Sequence, residues 1–152
     1  MALYNLAGLA AVLPAGTRLL GLDPGAKRIG VALCDVNLTV ASPYGTLVRA
    51  KMKVNAAEIA VIVAREGVGG LIIGLPLDDM GRSAQAARDW AHAMSAATGL
   101  PAAMVDESFT TADTHEHLIA AGISRERRAE IIDKMAAAAI LQRALELLRG
   151  DG

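Results

Sequence analysis

The sequence predicts an α/β protein with one mixed five-stranded sheet and helices on both faces. The first third of the chain contains three short apolar segments with short links, the pattern of antiparallel strands. From Val54 onward, helical periodicity alternates with short, nearly all-apolar segments, as in a parallel sheet that is covered on both faces. The chain has 152 residues, 53% of them hydrophobic, which is enough for one buried core.

The predicted elements follow the order βββαβαβαα. The leading strands are TRLLGLD, RIGVALCD and TVASPYGTLVR, with a turn at PGAK and a break at Pro43. A helix in NAAEIAVIVAREGV is followed by the strand GGLIIGLP, the helix SAQAARDWAHAMSAATG and the strand PAAMVDE. Two helices follow, in TADTHEHLIAAG and DKMAAAAILQRALELL. Residues 1–16 are interpreted as an N-terminal extension and residues 17–150 as a single domain.

The composition narrows the classes of function. Aromatic residues make up 3% and the formal net charge is −1, so contact with nucleic acid would have to rest on phosphates and shape rather than on base stacking. The single cysteine, Cys34, lies in an apolar segment and is expected in the core. No Lys or Arg precedes Arg18, so the positive start of a signal peptide is missing, and no apolar segment reaches membrane-spanning length. We expect a cytoplasmic protein without membrane contact.

Three carboxylates lie at predicted element ends. Asp23 closes the first strand, Glu107 closes the strand PAAMVDE, and Asp133 is predicted to open the last helix. Side chains at such ends can converge and hold divalent cations such as Mg²⁺, which prefer oxygen ligands. From the local sequence alone, Asp23 could equally be a turn residue, Asp133 a helix N-cap, and Glu107 a solvated loop acid.

Six cations are candidates for contact with a phosphate backbone. Two lie four and five residues after Asp23, one lies in the loop GLPLDDMGRS, and three precede Asp133; they are Lys27, Arg28, Arg82, Arg125, Arg127 and Arg128. Charged segments are more often simply solvated, and that interpretation stays open for each of them.

Four segments together resemble the YqgF/RuvX family of Holliday-junction-resolvase-like proteins and pre-16S rRNA nucleases. They are GLDPGAKRIGVALCD, LIIGLPLDDMG, VDESFTTADT and IIDKMAAAAILQRALE, in family order between Thr17 and about Leu148. The resemblance implies a ribonuclease H-like fold and a Mg²⁺- or Mn²⁺-dependent endonuclease, a hydrolase acting on ester bonds. It implies that Asp23, Glu107 and Asp133 are the catalytic metal ligands. Ser108 departs from the family pattern, which commonly has an arginine there.

The resemblance predicts a nucleic-acid partner, either a structured rRNA precursor trimmed at its 5′ end or branched DNA. A junction resolvase needs two sites and hence a homodimer, whereas an rRNA-trimming enzyme can act as a monomer. A non-catalytic binding module is the second alternative, although such a module would gain from losing acids near phosphate. An ATP site of the actin or sugar-kinase type is disfavoured, because it needs two lobes around the nucleotide.

Overall fold

The sheet has six strands in the order β1-β6-β5-β2-β3-β4. It belongs to a computed structural model that describes residues 3–76, 82–106 and 117–150, with side chains from residue 84 in the second range. Strands β2, β3 and β4 form an antiparallel meander, while β5, β6 and β1 run parallel to β2. The strands are β1 (Leu3–Tyr4), β2 (Arg18–Pro24), β3 (Arg28–Cys34), β4 (Ala41–Val48), β5 (Val68–Leu75) and β6 (Ala102–Asp106).

The predicted strand count of five was therefore wrong by one. The additional strand, β1, pairs in parallel with β6 through Leu3 and Ala102 and lies at the edge of the sheet. Helix α1 (Leu6–Val12) follows directly, and the side chain of Asn5 caps it by accepting a hydrogen bond from the amide of Gly8. Leu9 of this helix is fully buried, so the N-terminal segment contributes to both the sheet and the core.

Helices cover both faces of the sheet, as predicted. Helix α2 (Met52–Glu66) and helix α3 (Arg82–Thr98) lie on one face, where Ile59 and Met94 are fully buried against β2, β3 and β5. Helix α4 (Arg125–Leu148) lies on the other face together with α1. Among the described residues, no helix combines the length and the apolar character that crossing a membrane requires.

Helix α4 begins eight residues earlier than predicted, which corrects the placement of Asp133. Its N-cap is Ser124, whose hydroxyl accepts a hydrogen bond from the amide of Arg127 at 3.2 Å. Asp133 consequently lies in the third turn of the helix, and the interpretation of Asp133 as an N-cap was wrong. A separate helix was predicted before α4, in TADTHEHLIAAG. Residues 117–120 of this segment are helical, and residues 111–116 lie outside the described residues.

Helix α4 touches the backbone of the sheet at Gly30. A Cβ atom added to Gly30 would lie 2.0 Å from the carbonyl oxygen of Asp133, closer than any real contact. At Gly21, on the neighbouring strand, a Cβ atom would lie 2.8 Å from the Cβ of Leu141 and 3.0 Å from the carbonyl oxygen of Ala137. The helix can rest this close to β2 and β3 only because these two positions have no side chain.

Gly30→Ala is expected to destabilise the protein by about 1–3 kcal/mol or more, because the new methyl group overlaps a main-chain carbonyl that moves only with the whole helix. Gly45→Ala in the edge strand β4 is the matched control, because a Cβ atom there meets nothing within 4 Å. Its effect should stay within about 0.5 kcal/mol. Urea denaturation followed by circular dichroism measures both values, and equal losses in the two variants would contradict the close approach.

Candidate acidic centre and nucleic-acid interface

Asp23 is the sixth residue of β2, at the end where the strand turns toward β3. It is half-buried and lies opposite Gly30 in the pairing of the two strands. A Cβ atom added to Gly74 of β5 shows which face of the sheet this is, because it would lie 2.5 Å from Cδ1 of Ile140 in helix α4. The same Cβ position is 3.7 Å from Oδ1 of Asp23. The carboxylate of Asp23 therefore lies on the face of the sheet that α4 covers.

Asp133 reaches the same point from helix α4. Its carbonyl group rests on Gly30, and its side-chain Oδ2 accepts a hydrogen bond from Nε of Arg28 at 2.8 Å. Arg28 precedes Gly30 by two residues in β3, so both positions belong to the face under α4. Because Asp23 pairs with Gly30 and Asp133 rests on it, the two predicted acids converge at one end of the sheet.

The third predicted acid, Glu107, lies outside the described residues. The described part of β6 ends at Asp106, which pairs with Leu75 of β5. Within residues 3–76, 82–106 and 117–150, no group of three or more His, Cys, Asp or Glu side chains is arranged to hold a metal ion. The described acidic centre is thus the pair of Asp23 and Asp133.

Three of the predicted cations line one groove beside this centre. Lys27 and Arg28 come from the turn into β3, and Arg125 comes from the first turn of α4. The groove has a volume of about 550 Å³, and Glu126 and Ala129 complete its lining. Arg125 precedes Asp133 by eight residues, slightly more than two helical turns or about 12 Å along the axis. We call these residues the basic groove.

The other predicted cations have different surroundings. Arg127 is 63% exposed and pairs with Glu130 at 3.7 Å, one turn further along the helix. Arg128 donates a hydrogen bond from NH1 to the carbonyl oxygen of Ile123 at 2.8 Å and so closes the segment that leads into α4. The side chain of Arg82 lies outside the described part of the chain. Of the three arginines before Asp133, only Arg125 lines the basic groove.

Arg49 is a candidate residue that the sequence analysis missed. Its NH1 donates a hydrogen bond to the carbonyl oxygen of Gly25 at 2.8 Å, and its guanidinium carbon lies 5.8 Å from the centre of the Trp90 ring. It lines a cavity of about 330 Å³ that also contains Asp23. The sequence could have indicated Arg49 through the predicted meander. In an antiparallel meander the end of the third strand lies beside the start of the second, next to the turn that follows Asp23.

Two ionisable groups at the far end of β3 have structural roles. Hydrogen bonds from Thr39 and Val40 hold the pKa of Asp35 well below its usual value, and these bonds fix the turn into β4. Burial raises the pKa of the Cys34 thiol, whose sulfur accepts a hydrogen bond from the amide of Leu19. Cys34 is in the core, as predicted.

Similarity to solved structures defines the class of the fold. A structure described as Thermus thermophilus RuvC in complex with a Holliday junction substrate aligns with a TM-score of 0.55 at 14% identity, covering 88% of this chain and 96% of that chain. A second structure of Thermus thermophilus RuvC aligns with a TM-score of 0.50 at 11% identity, covering 88% and 97%. The chain is therefore a ribonuclease H-like α/β protein, with two acids at one end of its sheet.

Sequence comparison gives the family. The profile described as "RuvX: Holliday junction resolvase" matches residues 17–147. A protein of Acidiphilium cryptum is 50% identical over 97% of this chain and 96% of its own length, and one of Gluconacetobacter diazotrophicus is 53% identical over 96% and 97%. Both bear the name "Putative pre-16S rRNA nuclease". The chain belongs to the RuvX family, which confirms the resemblance noted in its sequence.

The contact between Arg28 and Asp133 can be measured by a double-mutant cycle with Arg28→Gln and Asp133→Asn. Both side chains are about two-thirds buried, at 27% and 31% exposure, so we expect a coupling energy of about 1 kcal/mol at low salt that falls as salt is added. The measurement is urea denaturation of the wild type, both single variants and the double variant.

A second cycle on Arg127 and Glu130 is the control for that measurement. This pair is 63% and 47% exposed and 3.7 Å apart, so its coupling energy should not exceed about 0.3 kcal/mol. If Arg28 and Asp133 couple no more strongly than this control pair, the contact does not hold the acidic centre in place.

Proposed function

We propose that this protein is a divalent-metal-dependent endonuclease that hydrolyses a phosphodiester bond in the 5′ maturation of the 16S rRNA precursor. The observation that carries the proposal is the convergence of Asp23 and Asp133 over Gly30, next to the basic groove. The names of the relatives support the substrate, and the family match supports the reaction class. Such a substrate places the activity in the cytoplasm.

The donor set of the acidic centre fits Mg²⁺ or Mn²⁺. Both ions prefer oxygen ligands, and Mg²⁺ commonly takes one or two carboxylates, with water and substrate phosphate completing its coordination. Asp23 and Asp133 supply these carboxylates, and the family motif adds Glu107 as the third. When bound, the ion supplies Lewis-acid polarisation of the phosphate. The site contains neither a neutral imidazole nor a thiolate among its described members, which agrees with a hard cation.

The residues around the centre would divide the remaining work. Arg28 orients the carboxylate of Asp133 through its Nε contact and offsets the repulsion between the two acids. Lys27 and Arg125 would hold backbone phosphates in the basic groove, which positions the strand without reading its sequence. Arg125, the groove residue farthest from Asp133 on α4, lies about 12 Å from it along the helix axis. The strand would thus be held on one side of the reacting bond.

Cleavage assays test the proposal with two substrates, an RNA fragment spanning the 5′ end of the 16S rRNA precursor and a four-way DNA junction. We expect the wild type to cut the RNA with Mg²⁺ or Mn²⁺ and to be inactive in EDTA. Asp23→Asn and Asp133→Asn should each lower the rate at least about a hundredfold, because each removes a charged oxygen ligand.

Asp89→Asn is the control, because it removes an acid from an exposed position of helix α3. It should cut at the wild-type rate. Cleavage of the junction alone would identify the chain as a resolvase. Binding of RNA without cleavage by the wild type would identify a non-catalytic module, and undiminished cleavage by Asp23→Asn would refute the acidic centre.

The basic groove makes a separate prediction about two neighbouring arginines. Arg125→Gln should weaken RNA binding in EDTA about three- to tenfold and lower the slope of log K against log salt by about 0.7–0.9, because one phosphate contact is lost. Arg127→Gln is the matched control, because Arg127 is paired with Glu130 and does not line the groove. Equal effects of the two substitutions, measured by fluorescence anisotropy, would show that overall charge and not the groove determines binding.

A further inference from the structure

We infer that Arg49 and the cavity beside it form a second nucleic-acid subsite, which receives the nucleotide on the other side of the reacting phosphate from the basic groove. The inference rests on the proposed nuclease function and extends it. It assigns a ligand class, the phosphodiester backbone of an unpaired strand, to the cavity that contains Asp23, and it gives a role to Arg49, which lies outside the four family segments.

The cavity has the position and the size of a nucleotide subsite. It opens at the carboxyl ends of β2 and β5, where ligands of α/β sheets commonly bind. Its volume of about 330 Å³ is at the lower end of the range for small-molecule sites. Its walls come from small or rigid residues of the strand ends and helix α3, which leave room for a sugar or a base; they are Pro24, Ala26, Gly74, Pro76, Ala86 and Ala87.

Arg49 is fixed in this cavity before any ligand arrives. NH1 is anchored on the carbonyl oxygen of Gly25, and the guanidinium carbon lies over the Trp90 ring of helix α3, 5.8 Å from its centre. The main-chain amide of Arg49 also donates a hydrogen bond to the carbonyl oxygen of Lys27 at 2.9 Å. A guanidinium has five N–H donors, so the anchored group keeps donors for a phosphate and loses little side-chain entropy on binding.

The charge on Arg49 is available to a ligand. Arg49 is exposed, and the salt bridges found among the described residues do not include it. Trp90 is only 9% exposed and belongs to the core, so a base would stack on the guanidinium plane rather than on the indole ring. A contact of this kind favours a phosphate backbone of any sequence over a particular base.

The two cationic sites flank Asp23 from opposite faces of the sheet. The basic groove lies under helix α4, whereas Arg49 and Trp90 lie on the face that α2 and α3 cover. The turn between Pro24 and Arg28 separates the two sites and presents Lys27 to the groove and Ala26 to the cavity. A strand held by the groove that crosses the acidic centre therefore continues into the cavity with Arg49.

Binding measurements in EDTA test the subsite with a fluorescein-labelled RNA fragment that spans the 5′ end of the 16S rRNA precursor. Arg49→Gln should weaken binding about three- to tenfold and lower the slope of log K against log salt by about 0.7–0.9. Arg49→Lys should keep the slope but not the full affinity, because lysine keeps the positive charge but lacks the planar guanidinium group. Arg143→Gln removes an exposed arginine from helix α4 outside both sites and should leave affinity and slope unchanged.

Fragments with one neutral methylphosphonate linkage, moved along the strand, locate the contact. In the wild type, a neutral linkage next to the cleavage site should lower the affinity for the RNA. In Arg49→Gln the same neutral linkage should cause no loss of affinity, while neutral linkages at the basic groove should still cause one. Arg49→Gln could instead lose affinity while keeping the wild-type salt slope and the wild-type response to each neutral linkage. Arg49 would then only support the turn, and the inference would be wrong. A wild type that neither binds nor cuts the RNA would instead overturn the proposed function, and the subsite with it.

Discussion

The approach of helix α4 to the backbone of β3 at Gly30 is the constraint on which the rest of the site depends. A carbonyl of the third helical turn occupies the space that any side chain at residue 30 would need. The same contact sets Asp133 beside the β2–β3 pair, in which Asp23 lies opposite Gly30. Further along the helix, Ile140 and Leu141 are buried against the sheet, so the packing that stabilises the core also fixes the distance between the acids.

The distribution of charge is uneven although the net charge is only −1. Cations from the β2–β3 turn and the start of α4 line one groove, in which Arg28 contacts Asp133, and Arg49 lines the cavity that contains Asp23. At the other end, Asp35 is used in the hydrogen bonds of a turn. Electrostatic attraction of a phosphate backbone is governed by this local arrangement, so an overall balance near zero does not argue against nucleic-acid binding.

The sequence predicted most elements because the strands are apolar and the helices are amphipathic, and it failed where those signals are weak. Strand β1 has only two residues, too few for periodicity. The start of α4 is rich in charged residues, so the predicted helix began only at Asp133, although Ser124 before Arg125 and Glu126 was a usable N-cap signal. Asp23 and Asp133 became candidates from their predicted positions at element ends, and the family resemblance then favoured a role for them. Arg49 depends on strand pairing and on a ring in another helix, which no local pattern contains.

The pair of Arg28 and Asp133 has a consequence for the metal site proposed above. Like charges on two acids at one end of the sheet repel each other, and the guanidinium of Arg28, 2.8 Å from Oδ2 of Asp133, would reduce that repulsion. Nε contacts Oδ2 of Asp133, and both side chains keep roughly a third of their surface exposed. Because such a pair is worth only about 1 kcal/mol, a divalent ion can share or replace it at little cost. In the proposed metal site, Arg28 would therefore hold Asp133 in position without competing strongly with the ion.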